Sequence, residues 1–134
     1  MPSKAHQMLI SFIARKMQED GYHTIAFDED NSSFDMFNFP VPLKIKRHRP
    51  DIIGMDYKGF FAVGEAKTKN DLKGKRLEEQ LNDFSDLRNE SGSFIPFYIG
   101  IPDSVNDRLE FELSKLNINR KNVKIINIPD VLLK

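Results

Sequence analysis

The feature that most constrains this chain is a pair of apolar runs around a short turn, within residues 51–67. The turn is centred on Lys58, and Gly59 can adopt the positive φ angle that a tight hairpin requires. An antiparallel hairpin pairs positions at equal distances before and after its turn. A turn at Lys58 therefore predicts that Asp51 lies directly opposite Glu65.

Side chains alternate between the two faces of a strand, so this hairpin has one face of large side chains and one face of small ones. One face carries large apolar side chains that we expect in the core: Ile53, Met55, Phe61 and Val63. The other face carries the smallest residues: Gly54, Ala62, Gly64 and Ala66. Small residues let a helix approach the sheet closely, so we expect a helix against the second face.

The remaining pattern predicts helices and strands around the hairpin. Ser3 is a predicted N-cap, and the polar stretch 28–33 is predicted to be a loop. The predicted helices are 3–19, 76–89 and one that starts at Asp103 or Ser104, and the predicted strands are 22–27, 42–46, 51–56, 60–67, 94–101 and 123–128. This order predicts an α/β fold, a mixed sheet flanked by helices, in a single domain over residues 1–134.

Opposed residues of a hairpin hold their Cβ atoms roughly 4.5–5.5 Å apart, so Asp51 and Glu65 would repel each other unless a cation lay between them. Mg²⁺ prefers such oxygen ligands, and the backbone carbonyl of Ala66 is a candidate further ligand. Lys67 falls on the same face as Glu65. A metal that activates water beside an ammonium group suits hydrolysis of a phosphodiester.

The pattern Pro50-Asp51, followed after a hairpin by Glu65-Ala66-Lys67, resembles the PD-(D/E)XK nuclease superfamily. That resemblance implies a restriction-endonuclease-like fold: a helix, a three-stranded meander, a helix and a strand, here followed by a further helix and strand. It implies that Asp51 and Glu65 bind Mg²⁺ or Mn²⁺ and that Lys67 assists the nucleophile. Gln80, with Phe84 four residues later, matches a further position of many members. Several subfamilies place a Glu on the first helix, where this chain offers His6 or Gln7.

The formal net charge is zero, which excludes a protein that coats nucleic acid through bulk charge. Basic residues nevertheless cluster on either side of the predicted site. We interpret them as DNA contacts, with a solvated surface as the alternative: Lys44, Lys46, Arg47, Arg49, Lys69, Lys73, Lys75 and Arg76. We expect DNA recognised by its structure or ends or through a targeting protein partner, and a homodimer would suit cleavage of two strands.

Two other functions stay open at this stage. The fold could serve as a catalytically inactive module that binds nucleic acid or protein, or the substrate could be RNA. The chain has no Cys, which excludes disulfides and thiolate zinc sites, and it has no apolar run long enough for a membrane span. A cytoplasmic location is the expectation.

Overall fold

A computed structural model describes residues 3–27, 40 and 42–134. Their elements, in chain order, are α1 (Lys4–Glu19), β1 (His23–Phe27), β2 (Ile52–Met55), β3 (Phe61–Ala66), α2 (Lys75–Ser85), β4 (Phe97–Pro102), α3 (Asn106–Lys115) and β5 (Val123–Ile128). The five strands form one sheet in the order β1-β2-β3-β4-β5. The first three strands are antiparallel and the last three run parallel, which confirms the predicted mixed sheet of an α/β fold.

The central hairpin has the predicted register. Ile52 lies opposite Gly64 and Met55 lies opposite Phe61, so the pairing is symmetric about Lys58. Gly59 has a φ of +89° in the turn, a value that a side chain would make costly. The symmetric pairing places Asp51, the residue before β2, level with Glu65, which lies near the end of β3.

Helix α1 covers the face of the sheet that is built from small residues. A methyl group on Gly64 would lie 2.7 Å from Ile13, and one on Gly100 would lie equally close to Ile13. Side chains cannot approach so closely, so these glycines set the distance between helix and sheet. At the start of α1, the backbone N–H of His6 donates to the Ser3 hydroxyl at 3.0 Å, which confirms the predicted N-cap.

Helices α2 and α3 cover the opposite face. Their apolar side chains share one buried cluster with Val63, Phe97, Ile99 and Ile101 of the sheet. The Phe84 and Phe97 rings meet edge to face, with centroids 5.6 Å apart. All of β4 and the residues of β3 after Phe61 are therefore buried. The expected core face is wrong at Phe61, which is 43% exposed at the start of β3, and Ile53 and Met55 of β2 are only half-buried.

The predicted strand 42–46 is wrong for its described residues. Ile45 and His48 exchange backbone hydrogen bonds of 2.8 and 3.1 Å across a tight turn, in which Lys46 has a φ of +55°. This local pairing uses the backbone groups that a strand would offer to a neighbour. The predicted loop 28–33 lies outside the described residues.

The second helix ends at Ser85, four residues before the predicted end, and β4 begins at Phe97 instead of residue 94. The cause is a residue distant in sequence. The buried Asn122 side-chain amide donates to the carbonyls of Ser85 and Ile95, at 3.0 Å each. These bonds satisfy the end of the helix and hold the approach to β4 in an irregular path. The third helix begins as predicted, with a 3-10 turn at Asp103–Val105.

No helix among the described residues is both long enough and apolar enough to cross a membrane.

Candidate active site

Two acidic side chains meet where β2 begins and β3 ends. The backbone N–H of Asp51 donates to Glu65 Oε1 at 2.8 Å, and the N–H of Ala66 donates to Asp51 Oδ2 at 2.8 Å. Each acid is thus bonded to the strand of the other. The structure brings together the two residues that the hairpin register predicted to be opposed, and it holds both carboxylates in fixed positions.

Glu65 is only 2% exposed. Burial, and after it the neighbouring Asp51 carboxylate, raise the pKa of its carboxyl to about 8 against the opposing effect of Lys67. Both raising effects disfavour the ionised form of this nearly buried group. A cation bound beside the two carboxylates would remove that penalty.

Lys67 and Gln80 complete this cluster from the interior. The Lys67 ammonium lies 3.3 Å from Glu65 Oε2 and donates a hydrogen bond to Gln80 Oε1. Both residues are buried, at 8% and 2% exposure. Gln80 lies on the apolar side of α2, where an amide needs a polar partner, and Lys67 provides it. The structure therefore places all four predicted site residues in one cluster.

The first turn of α1 also reaches this cluster. His6 Nε2 lies 3.4 Å from Asp51 Oδ2. Of the two α1 positions that the sequence offered, His6 lines the adjoining cleft and Gln7 is not among its described lining residues.

The cleft beside the cluster has a volume of about 410 Å³. Sequence reasoning missed four of its lining residues: Ser3, Thr68, Asn70 and Asp71. Thr68 donates to Asp71 Oδ2 through its backbone N–H and its hydroxyl, at 2.9 and 2.8 Å. The Thr-x-x-Asp spacing is a known signal for such a capped turn, and it could have located this wall of the cleft.

The eight predicted DNA-contacting residues fall into different environments. Arg49 and Arg76 line the cleft. Arg47 is bonded to Asp83 and Glu79, and Lys46 lies 3.9 Å from Asp86. The other four are exposed and lie outside the described lining of the cleft: Lys44, Lys69, Lys73 and Lys75.

The donor set suits a hard divalent cation. Asp51 and Glu65 offer carboxylate oxygens, and Ala66 lines the same cleft. Within the described residues, no three His, Asp or Glu side chains form a group that could hold a metal ion. Mg²⁺ is commonly bound through one or two carboxylates, with water and substrate phosphate as its other ligands. A site of two carboxylates that opens on a cleft fits this mode of Mg²⁺ binding.

No protein-family model matches this chain, and no curated protein does. Among solved structures, the chain is similar to the crystal structure of a repair endonuclease from Pyrococcus abyssi, with a TM-score of 0.52 and 16% sequence identity. The match covers 96% of this chain and 48% of that chain, so this chain spans about half of its length. Nearly the whole of this chain therefore shares its fold with part of a repair endonuclease.

Proposed function

We propose that this protein is a metal-dependent nuclease that hydrolyses phosphodiester bonds in DNA. The observation that carries the proposal is the pair of carboxylates, half-buried Asp51 and buried Glu65, held together with the Lys67 ammonium at the wall of an open cleft. A protein gains no stability from holding two carboxylates together, so the arrangement points to a ligand. The similarity to a repair endonuclease supports the same reading.

In this proposal Asp51 and Glu65 bind Mg²⁺ or Mn²⁺, with the Ala66 carbonyl as a further ligand. The bound ion supplies Lewis acidity, which polarises a phosphoryl oxygen and lowers the pKa of a coordinated water. Lys67 orients the attacking water and stabilises the negative charge that develops on the phosphate. Gln80 accepts a hydrogen bond from Lys67 and so fixes where that ammonium lies.

We further propose that the substrate enters along the cleft with its phosphates against Arg49 and Arg76. Phosphate contacts position a nucleic acid without reading its sequence. The enzyme would then recognise DNA structure or DNA ends, or would depend on a partner protein or a second copy for its target. RNA remains the alternative substrate, to be separated by the same assay.

The test combines metal titration with a cleavage panel. We expect calorimetry to detect Mg²⁺ or Mn²⁺ binding to the wild-type protein, and Asp51→Ala to abolish it. The cleavage panel contains linear, nicked, branched and single-stranded DNA with matched RNA, each with either metal. Asp107→Ala removes an exposed acid that is not among the described lining residues of the cleft, and it should bind metal and cleave as the wild type does.

Among the described residues that line the cleft from the α1 side, none is acidic, and this favours a second candidate function. Here the first turn of α1 places His6 beside Asp51. A protein of this fold that only binds nucleic acid or protein would need no complete metal shell. DNA binding without any metal-binding heat and without cleavage would establish this second function and exclude the first.

A further inference from the structure

A network of ion pairs joins the segment before Asp51 to helix α2. Arg47 donates to both carboxylate oxygens of Asp83, at 3.1 and 2.7 Å, and lies 3.3 Å from Glu79 Oε2. His48 Nε2 lies 2.9 Å from the other oxygen of Glu79. We call these four residues, Arg47, His48, Glu79 and Asp83, the 47–83 network.

The 47–83 network is anchored in the interior of the protein. Asp83 is 4% exposed. Burial acts to raise the pKa of its carboxyl, yet the Arg47 guanidinium holds that pKa below its ordinary value. A two-pronged bond between guanidinium and carboxylate fixes both distance and orientation. The Arg47 side chain is itself 53% exposed, and this bond ties its guanidinium to a buried carboxylate.

The network connects two segments that each carry part of the proposed active site. Arg47 and His48 lie in the tight turn closed by Ile45, only a few residues before Asp51. Glu79 immediately precedes Gln80 on α2, and Gln80 accepts the hydrogen bond from Lys67. Movement of α2 relative to the turn would change the distance between Gln80 and the acid cluster.

We infer that Arg47 is a positioning residue, which binds Glu79 and Asp83 and thereby sets where Gln80 holds Lys67 beside Glu65. This inference rests on the proposed nuclease function for its kinetic consequences. It assigns two different roles within the basic cluster 44–49. Arg47 binds helix α2, whereas Arg49 lines the cleft. A count of positive charges assigns both to DNA.

The principal test is Arg47→Met, assayed below its melting temperature. A small displacement of catalytic groups lowers the rate of the chemical step, so we expect kcat to fall about tenfold while KM for DNA stays unchanged. The dependence of DNA affinity on salt, measured with EDTA, should also be unchanged because no phosphate contact is lost.

Arg120→Met is the matched control. It removes an arginine from a surface pair with Glu110, at 2.7 Å, that is not among the described lining of the cleft. We expect its kcat and KM to equal those of the wild type. If Arg120→Met lowered kcat as much as Arg47→Met, the loss would be a general effect of breaking an ion pair and the inference would be overturned.

A double-mutant cycle with Asp83→Asn tests the route of the effect. If Arg47 acts through α2, the double variant should have a kcat close to that of Asp83→Asn alone, since coupled residues are not additive. Independent, multiplying losses would overturn the inference. A higher KM and a salt slope reduced by about one, at unchanged kcat, would instead make Arg47 a phosphate contact.

A spectroscopic measurement keeps this inference separate from the proposed function. Should the wild type fail to cleave any nucleic acid, the proposed function falls, but the side-chain amide resonance of Gln80 still reports its position. Arg47→Met should shift that resonance and Arg120→Met should not, and an unshifted resonance in both overturns the inference. If Arg47→Met does not fold, Arg47→Lys keeps the charge without the two-pronged bond and should give the same shift.

Discussion

The two ends of helix α1 hold similar chemical groups in opposite electrostatic states. Just past its carboxyl end, Asp20 accepts a 2.6 Å hydrogen bond from the Tyr98 hydroxyl and lies 3.4 Å from the Lys124 ammonium. These contacts, the hydroxyl first, hold the pKa of Asp20 below its ordinary value. At the amino end, burial and the Asp51 carboxylate raise the pKa of Glu65.

The difference separates a structural contact from the proposed ligand site. At Asp20 the hydrogen bond from Tyr98 and the nearby lysines outweigh the effect of burial and favour the ionised carboxylate, so the group stabilises the fold. At Glu65 the ionised form is disfavoured even with Lys67 beside it, and such perturbed groups in a cleft are characteristic of functional sites. The following predictions test this contrast from the largest expected effect to the smallest.

Substitution of a lysine at each of the two ends of α1 should give the largest difference in cleavage rate. Lys67→Met should lower DNA cleavage about 10³-fold, because it removes the ammonium that acts at the water and the phosphate. Lys124→Met, at the Asp20 end, should leave the cleavage rate unchanged. Single-turnover cleavage of the same DNA by both variants measures the difference, and comparable losses in the two would remove the distinction between the ends.

Removing the charge of Glu65 should stabilise the metal-free protein at high pH. The pKa of Glu65 is raised from its ordinary value of 4.5 to about 8 in the folded state. Its contribution to stability is therefore complete below pH 4.5 and is lost as pH rises through about 8. Glu65→Gln should exceed the wild type by about 1–2 kcal/mol above that pH, with no gain near pH 4.5.

Urea unfolding of both proteins in EDTA, at several pH values, measures this gain. Asp20→Asn serves as the opposite case, because the lowered pKa of Asp20 means that its charge stabilises the fold at neutral pH and that this contribution is lost in acid. It should destabilise the protein at pH 7. A loss of stability in Glu65→Gln at high pH would show that the buried carboxylate is satisfied without a metal.

The arginines of the cleft should affect DNA binding more modestly. Arg49→Gln and Arg76→Gln should each weaken DNA affinity about fivefold and reduce the salt slope by about one, as expected for the loss of one phosphate contact. Lys121→Gln removes an exposed positive charge that is not part of the described cleft lining, and it should change neither quantity. Equal effects of all three variants would indicate that DNA binds through nonspecific attraction to surface charge.

The smallest effect should come from a substitution at the Asp20 end of α1. Tyr98→Phe removes the hydroxyl that bonds Asp20 and leaves the buried ring in place. We expect a loss of about 0.5–1 kcal/mol in unfolding free energy, the usual value for one hydrogen bond, and an unchanged cleavage rate. A change in cleavage from this substitution would mean that the two ends of α1 are coupled through the helix.

Sequence reasoning succeeded where the structure depends on local pairing. The hairpin register follows from the position of its turn, so the meeting of Asp51 with Glu65 could be predicted from the chain alone. Gln80 was predicted from the resemblance to the PD-(D/E)XK superfamily, in which it matches a further position. Alternation then placed Lys67 beside them. The inferences about Asp51, Glu65 and Lys67 need only strand geometry, whereas that about Gln80 depends on the resemblance.

Sequence reasoning failed where contacts join distant segments. Arg47 was assigned to DNA, and its bond to Asp83, 36 residues later in the chain, was not foreseen. The early end of α2 depends on Asn122, 37 residues beyond Ser85. The predicted strand 42–46 shows a related limit, since its apolar residues suggested a strand while the turn at Lys46 pairs the backbone with itself. No local pattern carries such information.

The glycines under α1 have a consequence for how this protein can change over generations. A methyl group on Gly64 would lie 2.7 Å from Ile13, on the same helix that places His6 beside Asp51. Larger residues beneath the helix would therefore displace a wall of the site, even though these glycines have no chemistry of their own. The rim, at Arg49 and Asn70, has no such restriction. Selection for a new substrate can thus act freely on the rim, while the surface beneath α1 must stay as it is.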